Sequence, residues 1–113
     1  MTTRSDEDDR LWAALGDPTR VRVLDLLLER GEATASTLAG ALPITRQAVS
    51  KHLAVLERDG FVTAHRSGRE VRYSVRQERL DQAGAALTRI AARWDARLRA
   101  IKQMAEQAAG TSR

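Results

Sequence analysis

The sequence predicts a mainly α-helical chain that carries one β-hairpin, an α+β fold, and three observations predict it. Apolar residues recur at helical spacing in four short segments, most of them opened by a capping residue. Two six-residue runs flank Ser67-Gly68-Arg69, and the second alternates apolar with polar. Beyond Arg76 the stretch to Gln107 holds no proline and repeats its apolar positions every seven residues. With 113 residues, 42% of them apolar and 30% charged, the chain can form one core, whereas two independent domains would each be too small to hold together. Residues 1–113 are therefore read as a single domain, with the ends 1–4 and 109–113 expected to be disordered.

The first helix is expected over about 6–15. Ser5 precedes Asp6, Glu7 and Asp8, an N-cap followed by acids where the helix dipole favours negative charge. Leu11, Trp12 and Leu15 share one face, and Gly16 ends the run. Asp17-Pro18 then places a cap before a proline at the first helical position, where the missing N–H costs nothing. This second helix should reach Arg30, burying Val21, Leu24, Leu27 and Leu28, with Gly31 as its left-handed stop. Thr34 opens a short third helix through Leu38 to about Ala41, which Leu42-Pro43-Ile44 cannot extend. Thr45 caps a fourth, whose core face is Val49, Leu53 and Leu56 and which Asp59-Gly60 terminates. Arg46, Gln47, Ser50 and Lys51 lie away from that core face near the N-terminal end.

Two short helices, a tight turn and a second helix with a basic, polar N-terminal half describe a helix-turn-helix, the fourth helix being the reading element. From Phe61 the period changes. Phe61 to Arg66 and Glu70 to Val75 read as the arms of a hairpin, with Val71, Tyr73 and Val75 on one side and Gly68 permitting the turn. Arg66 and Arg69 lie at its tip, and Arg72 and Arg76 face away from the apolar side. A hairpin placed directly after the reading helix is a wing, so the pattern is a winged helix-turn-helix.

The last helix, about 78–107, would be roughly 40–45 Å long at 1.5 Å per residue. Leu80, Leu87, Trp94, Ile101 and Ala108 fall every seven residues, with Ala83, Ala91, Leu98 and Ala105 between them and Ile90 and Met104 beside the seam. A chain of this size has no core wide enough to cover so long a stripe. Self-association is expected, through Leu80, Leu87, Ile90, Trp94, Leu98 and Ile101 together with Leu11, Trp12 and Leu15 of the first helix, and part of the stripe is also expected to pack on those three residues within its own chain.

Charge points to the partner. The chain is +4 at neutral pH, yet Arg4 stands against Asp6, Glu7, Asp8 and Asp9 in the first nine residues, so the excess lies further on. Between Arg46 and Arg79 there are eight basic residues and four acids, the footprint of a polyanion-binding surface. Arginine outnumbers lysine 17 to 2 and there are 19 alanines, a bias that base composition of the gene also produces, so charge alone does not decide. The acidic N-terminus is the reverse of a secretory leader, and no apolar run is long enough for a bilayer; a soluble cytoplasmic protein with no membrane partner is expected.

Leu15-Gly16-Asp17-Pro18-Thr19-Arg20, Leu38-Ala39, Ala48-Val49-Ser50-Lys51-His52-Leu53-Ala54-Val55-Leu56, Gly60-Phe61-Val62 and Arg66-Ser67-Gly68-Arg69, in this order and spacing, resemble the ArsR/SmtB family of bacterial transcriptional repressors. The resemblance spans about residues 8–107. It implies a winged helix-turn-helix, a homodimer formed by the first and last helices, and binding to a pseudo-palindromic operator in double-stranded DNA. The family's best-known members sense metals, and here the sequence departs. Their third-helix site uses a cysteine pair, but the matching stretch Ala35 to Gly40 has none, and the whole chain lacks cysteine. Their other site pairs Asp and His with His and Glu across two last helices, and this last helix has no histidine. Asp81, Asp95 and Glu106 are acids at spacings that suit solvated helix charges. No metal site and no cofactor are expected.

Neither histidine has a ligand set around it. His52 beside Lys51 is assigned to the DNA face in preference to the core edge, and His65 to a partly exposed strand. Ser50 and His52 lie about 200° apart on a helix and cannot act as nucleophile and base. No other catalytic constellation is present, so the chain is not read as an enzyme. Trp12 and Trp94 are expected at the dimer seam, with a ligand pocket there as the lesser alternative.

The expected mechanism places the fourth helix in the major groove. Arg46, Gln47, Ser50, Lys51 and His52 then reach base edges or phosphates, Thr45 presents the helix N-terminus to a phosphate, and Arg66 and Arg69 hold the flanking backbone. One alternative is a protein-interaction module on the same scaffold, which would need aromatic or Met anchors where the fourth helix shows Arg, Gln, Ser and Lys. Another is a repressor gated by an unidentified small ligand. The operator, the target genes and the effector are not written in the sequence.

Overall fold

Three of the helix starts are fixed by a side-chain oxygen that accepts from an otherwise orphaned backbone N–H. The computed structural model describes residues 4–111, as α1 (Arg4–Leu15), α2 (Pro18–Arg30), β1 (Ala33–Thr34), α3 (Ala35–Ala41), α4 (Arg46–Arg58), β2 (Val62–Ser67), β3 (Glu70–Val75) and α5 (Gln77–Thr111). At α2, the Asp17 carboxylate accepts from Thr19 N at 2.9 Å and Arg20 N at 3.3 Å. Thr34 Oγ1 accepts from Thr37 N at 3.2 Å at α3, and Thr45 Oγ1 from Ala48 N at 3.1 Å at α4. The C-terminal carbonyls of α1 are met by Arg20, whose Nη1 donates to Ala13 O at 3.3 Å and Ala14 O at 3.2 Å. That guanidinium joins the end of one helix to the start of the next.

The chain divides into two units, one through Leu80 and one from Asp81. In the first, α2 contributes Val23, Leu24 and Leu27, α3 Leu38, and α4 Val49, Leu53 and Leu56 to the buried apolar set, with Phe61 and Val62 following α4. The expected α2 stripe is corrected here: Val23 takes the inward place, while Val21 and Leu28 are 40% and 48% exposed. Val21 and Leu28 lie on one line of the helix, about 100° round from the arc centred on Val23, Leu24 and Leu27. Gly60, at φ 82°, closes α4, Gly60 N donating to Glu57 O at 3.1 Å and Phe61 N to Leu56 O at 2.8 Å. Those two bonds form a Schellman motif. Arg79 then lies 5.2 Å over the Phe61 ring and donates Nε to Asp59 O at 3.0 Å, sealing that corner.

The hairpin pairs β2 with β3 antiparallel from Val62↔Val75 to Ser67↔Glu70. Gly68 has φ 63° and Arg69, like every described non-glycine residue, does not have positive φ, the pattern of a two-residue type II′ turn. The sheet has a third strand that sequence reading lacked: β1 pairs with the other edge of β3, Ala33↔Tyr73 and Thr34↔Arg72. Two residues carry no alternation, so nothing local distinguishes this strand from the N-cap it precedes.

In the second unit, α5 continues to Thr111 rather than ending near 107, because Ala105 to Ala109 are helix formers with no breaker among them. Likewise α1 starts at Arg4, which puts Ser5 inside the helix rather than at its cap. Of the ends expected to be disordered, Arg4 and residues 109–111 are helical, and residues 1–3 and 112–113 lie outside the described residues. No described helix is long and apolar enough to cross a membrane.

Candidate nucleic-acid interface

The geometry of α4 follows from its sequence. Val49, Leu53 and Leu56, at i, i+4 and i+7, are all fully buried, which anchors one side of the helix and fixes its rotation. Arg46, Gln47, Ser50 and Lys51 are consequently exposed, clustered in the first two turns with the Thr45 cap ahead of them. The five residues come together on one outward surface, as their spacing predicts. Arg66 near the end of β2 and Arg69 in the turn are exposed as well. Arg72 is held elsewhere: its guanidinium meets Glu70 Oε2 at 3.2 Å and Glu32 Oε1 at 3.4 Å.

His52 does not join this surface, which corrects its assignment to the DNA face. It sits one residue before Leu53 and three after Val49, on the flank of the buried stripe. There it is half-buried, with Nδ1 in the interior and without a hydrogen-bond partner among the described residues. His65 is exposed on β2, opposite Arg72. Asp17 is held below the ordinary carboxylate range, first by the Arg20 N–H it accepts, then by the Thr19 N–H and the charges of His52 and Arg20, with burial acting the other way. Among the described residues no group of three or more His, Cys, Asp and Glu is arranged to hold a metal ion.

The residues assigned to self-association separate into two kinds. Leu11 is 1% exposed in the single chain and has no surface left to offer, so it is a core residue and not a seam residue. Trp12, Leu15 and Leu80 are half-buried. On α5, by contrast, Leu87, Ile90, Trp94, Leu98 and Ile101 are 46–60% exposed in one continuous stripe, and Met104 extends it.

Sequence reading missed Ser36 and Tyr73. Both line a groove of about 370 Å³ between the start of α3, the first turns of α4 and the wing, together with Arg46, Ser50 and Arg69. The signal that would reveal them is the β1–β3 pairing, which carries the start of α3 to the wing and which is a contact between residues about forty positions apart.

Comparison with known proteins agrees with this geometry. Residues 15–65 match the family described as a helix-turn-helix domain. A probable mercury resistance operon repressor of Streptomyces lividans is 40% identical over 78 residues, 69% of this chain and 62% of that protein, so the match spans less than two thirds of that relative's length. A solved ArsR-like transcriptional regulator from Rhodococcus sp. RHA1 is 44% identical, with a TM-score of 0.71 over 87% of this chain and 92% of that one. The homodimeric winged helix-turn-helix domain of Mb0332 from Mycobacterium bovis is 27% identical, with a TM-score of 0.64 over 80% of this chain and 87% of that one. With identity above 40% across nearly the whole of a solved relative, and with the winged helix-turn-helix in place, the chain belongs to the ArsR/SmtB family of DNA-binding transcriptional regulators.

Proposed function

We propose that the chain is a repressor that binds a pseudo-palindromic operator as a homodimer and excludes polymerase from the promoter. One observation carries the reading: α4 buries its apolar side completely and leaves Arg46, Gln47, Ser50 and Lys51 as an exposed polar row. A helix anchored on one side and furnished with hydrogen-bond donors on the other fits the major groove, where an amide side chain such as Gln47 pairs with adenine N6 and N7. Thr45 keeps its hydroxyl hydrogen while its oxygen caps the helix, so it donates to a phosphate at the helix N-terminus. Arg66 and Arg69 grip the flanking backbone from the wing.

The second half of the reading is the dimer. An apolar stripe such as that of α5 is covered by another copy of the same stripe in a twofold pair, and a pseudo-palindromic operator offers the two α4 helices successive major grooves roughly 34 Å apart. The homodimeric Mycobacterium bovis relative supports a pair of chains. Sensing through thiolates or through histidines on the last helix is excluded by composition, since the chain has no Cys and α5 no His. The input to the repressor is therefore of another kind from those two metal sites.

The test is selection of DNA fragments from a random pool by the purified protein, followed by binding of the winning fragment and a scrambled one across a salt series. Gln47→Ala is expected to cost about 1–3 kcal/mol on the selected fragment and little on the scrambled one. Equal losses on both would remove Gln47 from base reading, and no enrichment of any fragment would end the proposal.

A further inference from the structure

We infer that the groove between α3, the start of α4 and the wing seats a phosphodiester of the DNA backbone, so that Arg46 and Ser36 position the protein on the duplex instead of reading bases. This rests on the DNA-binding reading above and divides its labour. Arg46 and Ser50 lie about 40° apart on the wing-facing flank of α4, whereas Gln47 and Lys51 lie about 100° further round. The first pair lines the groove; the second does not.

The chemistry of the lining is that of an anion site. Arginines line it from two elements, Arg46 from α4 and Arg69 from the turn, with the hydroxyl-bearing Ser36, Ser50 and Tyr73 beside them. Neither arginine has an ion-pair partner among the described residues, while Arg58, Arg72 and Arg76 each have a carboxylate within 3.4 Å. One acid, Glu70, is also in the lining, and it faces Arg72 at 3.2 Å. Two arginines without an ion-pair partner among the described residues, lining a groove of about 370 Å³ with room for roughly a dozen waters, suit a singly charged phosphodiester and its hydration.

Binding of four exposed-site variants to the selected fragment and to its scrambled counterpart, over a salt series, tests this. Arg46→Ala is expected to weaken both duplexes by the same factor, about tenfold, and to reduce the log K against log salt slope by about one. Ser36→Ala should weaken both by about threefold, the scale of one neutral hydrogen bond. Glu70→Gln should strengthen both by about threefold, more than Glu57→Gln at the far end of α4, since only the former relieves a carboxylate beside the phosphate. A loss for Arg46→Ala confined to the selected fragment with an unchanged slope would overturn the inference, as would equal effects of Glu70→Gln and Glu57→Gln. Failure of the unaltered protein to prefer any duplex would instead sink the reading on which it rests.

Discussion

Helices α4 and α5 are both amphipathic, yet they expose opposite faces. In α4 the apolar face of Val49, Leu53 and Leu56 is fully buried, and the first two turns present arginine, glutamine, serine and lysine outside. In α5 from Leu87 onward the apolar face is itself outside, about half exposed at every large residue. A polar row on an anchored helix loses nothing in water and gains on meeting a surface of matched donors and acceptors. An apolar row in water loses about 25 cal/mol for each Å² left uncovered. One helix is therefore complete without its partner, and the other is not. The chain carries one helix furnished for a polar surface and one whose apolar stripe is uncovered.

That contrast breaks first at Phe61. Its side chain is fully buried beside the Schellman turn that ends α4, so Phe61→Ala should destabilise the protomer by about 3–5 kcal/mol. The loss, read from urea unfolding, should be the same at every protein concentration. Trp94 is the opposite case, 60% exposed in the single chain. Trp94→Glu should leave a folded monomer by sedimentation, abolish the concentration dependence of Tm, and weaken binding to a full operator by about 100-fold while sparing a half-site. A Trp94→Glu protein that stays dimeric would show that the seam is elsewhere.

The two helices also differ in how far sequence revealed them. The buried and exposed sets of α4 follow from local spacing, with a cap and a stop within the same thirteen residues. The apolar stripe of α5 was visible as a heptad pattern, but Leu11 was grouped with it although its side chain is buried in the single chain, because an apolar residue near a chain end carries no mark of whether it faces the core or a partner. His52 failed for a related reason. On a helix, residue 52 lies between the buried and the exposed arcs, and only the packed structure shows that its Nδ1 is buried. Strand β1 and the groove built on it depend on pairing across about forty residues, which periodicity does not report.

The smallest effect concerns how firmly the first unit is held together where α2 begins. Asp17 caps α2 through two backbone N–H groups, and the charge of His52, on the buried flank of α4, reaches it. Its carboxyl titrates below the ordinary range in the folded chain, chiefly because the Arg20 N–H binds the ionised form. A depressed folded value means that the ionised form stabilises the fold above the unfolded value, and that this contribution is lost as pH falls below about 4 through the folded one. Asn caps helices as well as Asp does, so Asp17→Asn keeps the hydrogen bonds and removes only the charge. The variant should therefore sit slightly below the unaltered protein in urea midpoint at pH 7, and the gap should close as pH falls below about 4. Curves that run parallel across that window would mean that the cap acts through its hydrogen bonds alone, and that the charge on Asp17 contributes nothing to joining α2 to α4.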